Sequence, residues 1–146
     1  MGSRRKARES ALQILFQLEF NNTQVEKMLT RCWKEKKASE EIKDYSTELV
    51  KGIISHQEEI DNLIQLTSDH WRLSRMAFVD RNILRIAVFE LLYKKNIAPA
   101  IAINEAIEIA KKYSSDDAAA FVNGLLDAIR KKLETKKASS GEGKDD

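Results

Sequence analysis

The chain has 146 residues, of which 42% are apolar and 33% charged, and its formal net charge is +2. This length and composition are typical of one compact soluble domain and exclude a disordered or fibrous chain, and the apolar stretches are too short for a membrane span. Without a membrane span or an apolar signal segment after the basic start, the sequence predicts a cytosolic protein. One cysteine and two histidines exclude an internal disulfide and a closed Cys/His zinc site, so we expect no structural metal.

The positive charge is concentrated at the N-terminus, in the stretch RRKARES. Arg4, Arg5, Lys6 and Arg8 give the first eight residues a charge of +4, and the rest of the chain is net negative. Cations at a helix N-terminus oppose the helix macrodipole. The run therefore either precedes the first helix or binds an anionic partner, and the asymmetry favours nucleic acid or a membrane surface as that partner.

Apolar residues recur at helical spacing along the chain, and only one proline and five glycines interrupt them, which predicts an all-α fold. The first helix is predicted to end near Phe20. A T-x-x-E capping box over residues 23–26 predicts the start of the second helix. Ser39 is the predicted N-cap of a third helix, which either continues through Ile64 or is interrupted near His56.

The later helices follow from one strongly apolar segment and from cap residues. Residues 77–94 predict the central core helix, with Arg81 and Arg85 pointing outward. Pro99 suits the first turn of the next helix. The serines at 114–115 are candidate caps of the last helix, and two acids follow them, which complements the dipole.

The composition predicts three parts of the chain. Residues 1–8 form an arginine-rich arm, and residues 9–134 form a single all-helical domain. Residues 135–146 are rich in Lys, Ser, Gly and Glu and are predicted to be a disordered polar tail.

Two positions inside predicted helices hold residues that are unusual there. Gly124 lies in the last helix, where glycine costs about 1 kcal/mol relative to alanine, and we interpret it as a close helix crossing rather than a binding position. Glu105, next to Asn104, either forms a polar edge of its helix or bridges to a neighbouring helix.

No stretch of the chain has the pattern of an enzyme active site. Ser68, Asp69 and His70 cluster, but side chains of adjacent residues do not face one another as a catalytic triad requires. No G-x-S-x-G motif occurs, and the one Gly-x-Gly pair lies in the tail without a following helix to bind phosphate. We therefore predict that the protein is not an enzyme and uses no cofactor.

Four stretches, taken together, resemble the bacterial transcription antitermination factor NusB family: RRKARESALQILF, VDRNILRIAVFELLY, AINEAIEIAKKY and FVNGLLDAI. They follow the family's order and spacing and extend over nearly the whole chain. The resemblance implies an all-α, compact bundle of about seven helices in two packed helical subdomains, without catalysis.

The resemblance also implies partners and site residues. It implies an adaptor that binds single-stranded boxA RNA of nascent ribosomal transcripts together with the ribosomal protein NusE, in an RNA polymerase antitermination complex. The family's arginine-rich RNA-binding segment matches Arg4, Arg5, Lys6 and Arg8. Positions beside it that contact bases match Tyr113, Asp117 and Phe121. Positions on the NusE-facing side match Phe16 and Asp80.

The chain departs from the family at two places, and two other functions stay open. Ala100 follows Pro99 where many relatives carry a lysine, and Ser114 stands where a glycine is frequent. One alternative is a protein scaffold or homodimer that does not bind RNA. The other is a helical RNA-binding subunit of an rRNA-modifying enzyme, since a similar helical domain precedes a methyltransferase domain in some rRNA cytosine methyltransferases.

Overall fold

A computed structural model of the protein describes residues 2–21, 23–68 and 72–144, with side chains described as far as residue 136. The described residues form seven α-helices and one 3₁₀ turn, Leu73–Arg75, and no strands, which confirms the predicted all-α fold. In chain order the helices are α1 (Gly2–Phe20), α2 (Val25–Glu35), α3 (Glu40–Ser55), α4 (Gln57–Thr67), α5 (Phe78–Tyr93), α6 (Pro99–Tyr113) and α7 (Asp116–Lys144). Asp69 and His70 of the Ser-Asp-His cluster lie outside the described residues.

Three predicted helix starts are confirmed by the local geometry. The Ser39 hydroxyl accepts a hydrogen bond from the Ile42 amide at 3.3 Å, as an N-cap does. Pro99 occupies the first turn of α6, where its missing N–H leaves no hydrogen bond unmade. Of the two candidate serines before α7, Ser115 accepts from the Ala118 amide at 3.0 Å.

Two other local expectations resolve differently. Helix α2 begins at Val25 after Gln24, which makes no side-chain cap, so the capping box predicted over residues 23–26 is wrong. The predicted third helix does not continue through Ile64 but is interrupted at His56. His56 leaves helical geometry with φ −115° and ψ 20° and separates α3 from α4.

The described residues of the predicted arm and of the predicted tail are helical. Helix α1 begins at Gly2, so its backbone passes through Arg4, Arg5 and Lys6 without a break at residue 8. Helix α7 continues to Lys144 and crosses the boundary predicted at residue 134. Neither predicted boundary coincides with a helix end, and the division of the chain into arm, domain and tail stays a prediction.

Helix α5 is the centre of the core, as its composition predicted. All nine residues from Asn82 to Glu90 are buried, and the helix packs against α1, α3, α4, α6 and α7. A helix buried on all sides must satisfy its polar side chains internally. Its two buried charges, Arg85 and Glu90, each do so through partners on other helices.

The prediction that Arg85 points outward is wrong. Arg85 is only 6% exposed, and its Nε and Nη2 donate to the Asp61 carboxylate of α4 at 2.8 and 3.0 Å. Its Nη1 donates to Glu19 of α1 at 3.2 Å. Burial alone would raise the pKa of Glu19, but hydrogen bonds from Arg81 and Asn82 outweigh it and lower that pKa.

Close helix packing occurs at a glycine other than the one predicted. Gly124 is exposed, and a Cβ placed on it would meet no atom within 4 Å, so the predicted crossing there is wrong. At Gly52 of α3, by contrast, an added Cβ would overlap the ring of Phe89 on α5. The α3–α5 contact therefore requires glycine at position 52.

Candidate nucleic-acid interface

The N-terminal half of α1 presents its cations unequally. Arg5 and Lys6 are exposed, whereas the Arg4 guanidinium lies 4.1 Å from the centre of the Tyr45 ring on α3. A cation over an aromatic face is held by the ring quadrupole. Arg4 is therefore positioned by α3, while Arg5 and Lys6 stand at the surface.

Arg8 is not at the surface. It is 4% exposed, and its Nε donates to both carboxylate oxygens of the fully buried Glu90 at 3.1 and 2.9 Å. Its Nη1 donates to Glu105 at 3.2 Å. Of the four cations in the predicted RNA-binding segment, Arg8 is thus part of the core that joins α1 to α5 and α6.

The buried carboxylate of Glu90 also accepts a hydrogen bond from the Tyr45 hydroxyl. Burial raises the pKa of Tyr45, and the hydrogen bond to Glu90 raises it further. Tyr45 therefore remains neutral at physiological pH and offers its outer ring face to Arg4. The contacts among Arg4, Arg8, Tyr45 and Glu90 thus hold the N-terminal turns of α1 against α3 and α5.

Arg5 and Glu105 form the bridge that connects the basic segment to α6. The Arg5 Nε and Nη2 donate to the two Glu105 oxygens at 3.0 and 2.5 Å. The hydrogen bond from Arg5 is the main cause that lowers the pKa of Glu105, although burial opposes it. Of the two interpretations of Glu105, the bridge to a neighbouring helix is the one found.

A shallow cleft of about 320 Å³ lies where α1 passes the end of α6, and it is lined by Arg5, Glu9, Glu108, Ile109, Lys111 and Lys112. Lys112 pairs with Glu9 of α1 at 3.1 Å, and its ammonium lies 5.2 Å from the centre of the Tyr113 ring. Lys111 and Lys112 were not among the predicted site residues. The sequence feature that could have identified them is the pair of adjacent lysines before an aromatic residue in AKKY.

The three predicted base-contacting residues, Tyr113, Asp117 and Phe121, lie at the turn from α6 to α7, and we refer to them as the aromatic corner. Tyr113, the last residue of α6, is half-buried. Asp117 is exposed in the first turn of α7, and Phe121, also half-buried, follows one turn later. Lys112 contacts both Glu9 of α1 and the Tyr113 ring, so the corner adjoins α1 at Tyr113.

The two residues predicted on the partner-facing side lie at a separate place. Phe16 lies near the end of α1, about 18 Å along the helix from Arg4. Its ring contacts those of Phe20 and Phe78 at centroid distances of 4.9 and 6.4 Å. Phe20 is 62% exposed, so this aromatic cluster opens to solvent.

Asp80 lies beside that cluster in the first turn of α5. Its Oδ1 is buried and has no hydrogen-bond partner within the described part of the chain. Arg81 covers the Phe78 ring at 4.3 Å and pairs with Glu19 at 2.7 Å. The face therefore combines exposed aromatic surface with a carboxylate oxygen that lacks a donor.

The described residues include neither a cluster of metal-ligating side chains nor an apolar helix of membrane-spanning length. No group of three His, Cys, Asp or Glu side chains converges as metal ligands would. No described helix has the length and apolar character that crossing a membrane requires.

Comparison with known proteins gives matches over most of the chain. A model of the NusB family matches residues 5–131. The transcription antitermination protein NusB of Myxococcus xanthus is 43% identical over 133 residues, which is 88% of this chain and 95% of that protein. The structure of T. maritima NusB has a TM-score of 0.81 at 39% identity and covers 88% of this chain and 90% of its own. A structure of antitermination factors NusB and NusE in complex with double-stranded RNA has a TM-score of 0.81 at 30% identity, covering 90% of this chain and 98% of that chain.

Proposed function

Because the chain belongs to the NusB family, we propose that it is a cytoplasmic transcription antitermination factor that binds boxA RNA together with ribosomal protein NusE. It acts as an adaptor without catalysis of its own. The RNA lies on the face formed by α1, the end of α6 and the start of α7, and NusE binds the aromatic cluster of Phe16, Phe20 and Phe78.

The observation that carries the proposal is the continuity of the cationic and aromatic side chains. Arg5 and Lys6 are exposed on α1, and the cleft beside Arg5 leads past Lys112 to Tyr113. Phosphates bind cations in a sequence-independent way, and unpaired bases stack on aromatic rings for about 1–3 kcal/mol each. A face that offers both fits a single RNA strand.

The corner also offers a means of reading bases. Asp117 is exposed between Tyr113 and Phe121. An ionised carboxylate accepts hydrogen bonds and does not donate them, so it pairs with base donors such as exocyclic amino groups. We assign sequence preference to Asp117 and stacking to the two aromatic residues. Arg8 is left out of the RNA contacts because its guanidinium is enclosed by Glu90 and Glu105.

The proposed NusE face has a different character. Exposed aromatic rings are typical anchors of protein interfaces. Asp80 is partly exposed beside this cluster, and its carboxylate would accept a hydrogen bond from a donor of the partner. The two faces lie on different parts of α1, so both partners can bind at once.

The test is an RNA titration in four arms: boxA RNA, a scrambled single strand, a double-stranded RNA, and boxA RNA with NusE present. We expect preference for boxA, tighter binding with NusE, and a slope of log K against log salt of about −2 to −3, for three or four phosphate contacts on a single strand. Equal affinity for boxA and scrambled RNA, or no salt dependence, would contradict the proposal.

A pair of variants identifies the face. Arg5→Ala with Lys6→Ala should reduce boxA affinity and the salt slope while leaving NusE binding unchanged. Arg31→Ala removes an exposed cation of α2 and serves as the matched control, with little expected effect. RNA binding that survives the Arg5 and Lys6 changes would favour the scaffold alternative.

A further inference from the structure

Helix α2 and the two residues that follow it carry a second concentration of positive charge. Residues 25–37 hold five lysines and arginines and two acids, which gives this stretch a charge of +3, although the chain beyond residue 8 is net negative. Neither proposed face uses these cations. All five are exposed: Lys27, Arg31, Lys34, Lys36 and Lys37.

Three of the cations lie on one side of α2, and we refer to them as the α2 stripe. Lys27, Arg31 and Lys34 follow at the i, i+4 and i+7 spacing of one helix face, and they border a shallow depression of about 460 Å³. Within the described residues their side chains make no ion pair and no hydrogen bond. Glu26, which borders the same depression, pairs instead with Lys51 of α3 at 2.6 Å.

The stability of α2 does not account for the stripe. Lys34 lies in the last turn, where a cation complements the helix macrodipole. Lys27 lies in the first turn, where a cation opposes it. Arg31 forms no ion pair with Glu35, four residues further along. Exposed cations that no internal group neutralises are available to an external anion.

The stripe continues the cationic surface of α1. Gln13 lies seven residues beyond Lys6, two turns along the same side of α1 and about 10 Å away, and both are exposed. The Lys36 ammonium at the end of α2 donates a hydrogen bond to the Gln13 side-chain oxygen. A strand that leaves the proposed RNA face over Lys6 and follows α1 therefore reaches the end of α2.

The chemistry of the stripe suits phosphates and not bases. Trp33, the one aromatic residue of α2, is partly buried and packs against the core, so the stripe offers no exposed ring for stacking. Phosphate contacts position a strand and carry no sequence information. Arg5 and Lys112 are paired with Glu105 and Glu9, whereas the stripe can bind a phosphate without displacing a carboxylate.

We propose that the α2 stripe binds the phosphates of nucleotides that flank boxA in the same RNA strand, whatever their sequence. This rests on the proposed function, because the strand reaches α2 from the RNA face over Lys6. boxA supplies the specific contacts at the aromatic corner, and the flanking nucleotides add affinity. The two contacts reinforce each other because one strand connects them, which gives the second a high effective concentration.

The test compares the binding of three RNAs to the full chain: boxA alone, boxA with a 5′ extension and boxA with a 3′ extension. Each extension is about ten uridines, comparable to the length that one single-strand binding domain covers. We expect tighter binding with one of the two extensions only, because α2 adjoins the RNA face on one side. Three further phosphate contacts should make the slope of log K against log salt more negative by about 2, so the advantage of that strand should shrink about fifteenfold between about 50 and 200 mM salt.

A triple variant identifies the surface. Lys27→Ala, Arg31→Ala and Lys34→Ala together should leave the affinity for boxA alone unchanged and remove the gain from the extension. Arg31→Ala remains a valid control for boxA binding, because boxA without flanking nucleotides does not reach α2. Alanine favours a helix at all three positions, and far-UV circular dichroism checks that the fold is kept.

The matched control removes the same amount of charge from another part of the surface. It replaces three exposed cations that have no ion pair within the described residues, and it should keep the gain from the extension. The three residues changed to alanine are Arg72, Arg75 and Lys136.

The outcomes separate this proposal from the function on which it rests. Preference for boxA over a scrambled strand with no gain from either extension would overturn the proposal for α2 and leave the proposed function standing. An equal gain from both extensions, or a gain that survives the triple variant, would also overturn it, because the added contact would then lie elsewhere. Loss of the boxA preference itself would contradict the proposed function and this proposal together.

Discussion

Two arginines three residues apart on α1 show how far environment decides the role of a side chain. Arg5 is exposed and held by one carboxylate, that of Glu105, whereas Arg8 is enclosed by Glu90 and Glu105. Surface ion pairs contribute at most about 1 kcal/mol, while a charge left alone after its buried partner is removed is strongly destabilising. The same residue type is therefore accessible to a ligand at one position and committed to the folded core at the other.

Replacement of the two arginines should separate these roles. Arg8→Ala leaves the Glu90 carboxylate buried without its cation, so we expect a loss of about 3–5 kcal/mol in the free energy of unfolding. Arg5→Ala should change stability by less than about 1 kcal/mol while lowering RNA affinity. Urea denaturation and RNA titration of both variants check this. A stable Arg8→Ala protein that fails to bind RNA would reverse the assignment.

At the scale of helices, the glycines show the limit of what sequence periodicity can indicate. A glycine inside a helical pattern indicates either that another helix packs closely against it or that the helix is destabilised there with no packing reason. The pattern itself does not distinguish the two cases. The structure has the close neighbour at Gly52 and none at Gly124. The difference depends on which helix packs opposite each glycine, and the tertiary structure determines this.

Gly52→Ala and Gly124→Ala should therefore have opposite effects. The first places a methyl group against Phe89 in the tight α3–α5 contact and should destabilise the protein by about 1–3 kcal/mol. The second improves helix propensity at an exposed position and should stabilise it by up to about 1 kcal/mol. Thermal melting of the two variants provides the comparison. Equal shifts would show that propensity alone governs both sites.

The helices could be predicted because their signals are local, but the ion pairs could not. Caps such as Ser39 and the apolar stripe of α5 depend on residues within a few positions. The partners of Arg8 and Arg85 lie far away in the chain: Glu90 is 82 residues from Arg8, and Asp61 is 24 residues from Arg85. From the sequence alone, an arginine that is buried and paired cannot be distinguished from one at the surface, because its partner lies on a helix that is distant in the chain.

Across the whole molecule, carboxylates with lowered pKa make stability depend on acidity. Glu19 and Glu105 both titrate below their usual value of 4.5 in the folded protein. Their contribution is therefore complete above about pH 5 and is lost as the pH falls through the lowered folded pKa values. The folded protein should weaken progressively below pH 4.5, because protonation removes the anions that hold Arg81 and Arg5.

The Glu19→Gln variant tests this pH dependence of stability. The variant lacks this contribution at every pH, so its free energy of unfolding should lie below that of the wild type at pH 7 and approach it near pH 3. Urea denaturation at the two pH values tests the convergence. A difference that stays constant with pH would mean that the Glu19 charge does not link stability to protonation.

The ion pairs on the proposed RNA face also bear on how the protein would discriminate among the many polyanions of a cell. Arg5 and Lys112 are already neutralised by Glu105 and Glu9, so an incoming phosphate chain must displace a carboxylate to reach either cation. A ligand that offers charge alone exchanges one surface ion pair for another of similar strength. A strand with unpaired bases would gain stacking on Tyr113 and Phe121 in addition to its phosphate contacts. On the proposed RNA face, Glu9 and Glu105 would therefore weaken the binding of RNA that offers phosphates alone more than the binding of a strand that also stacks its bases.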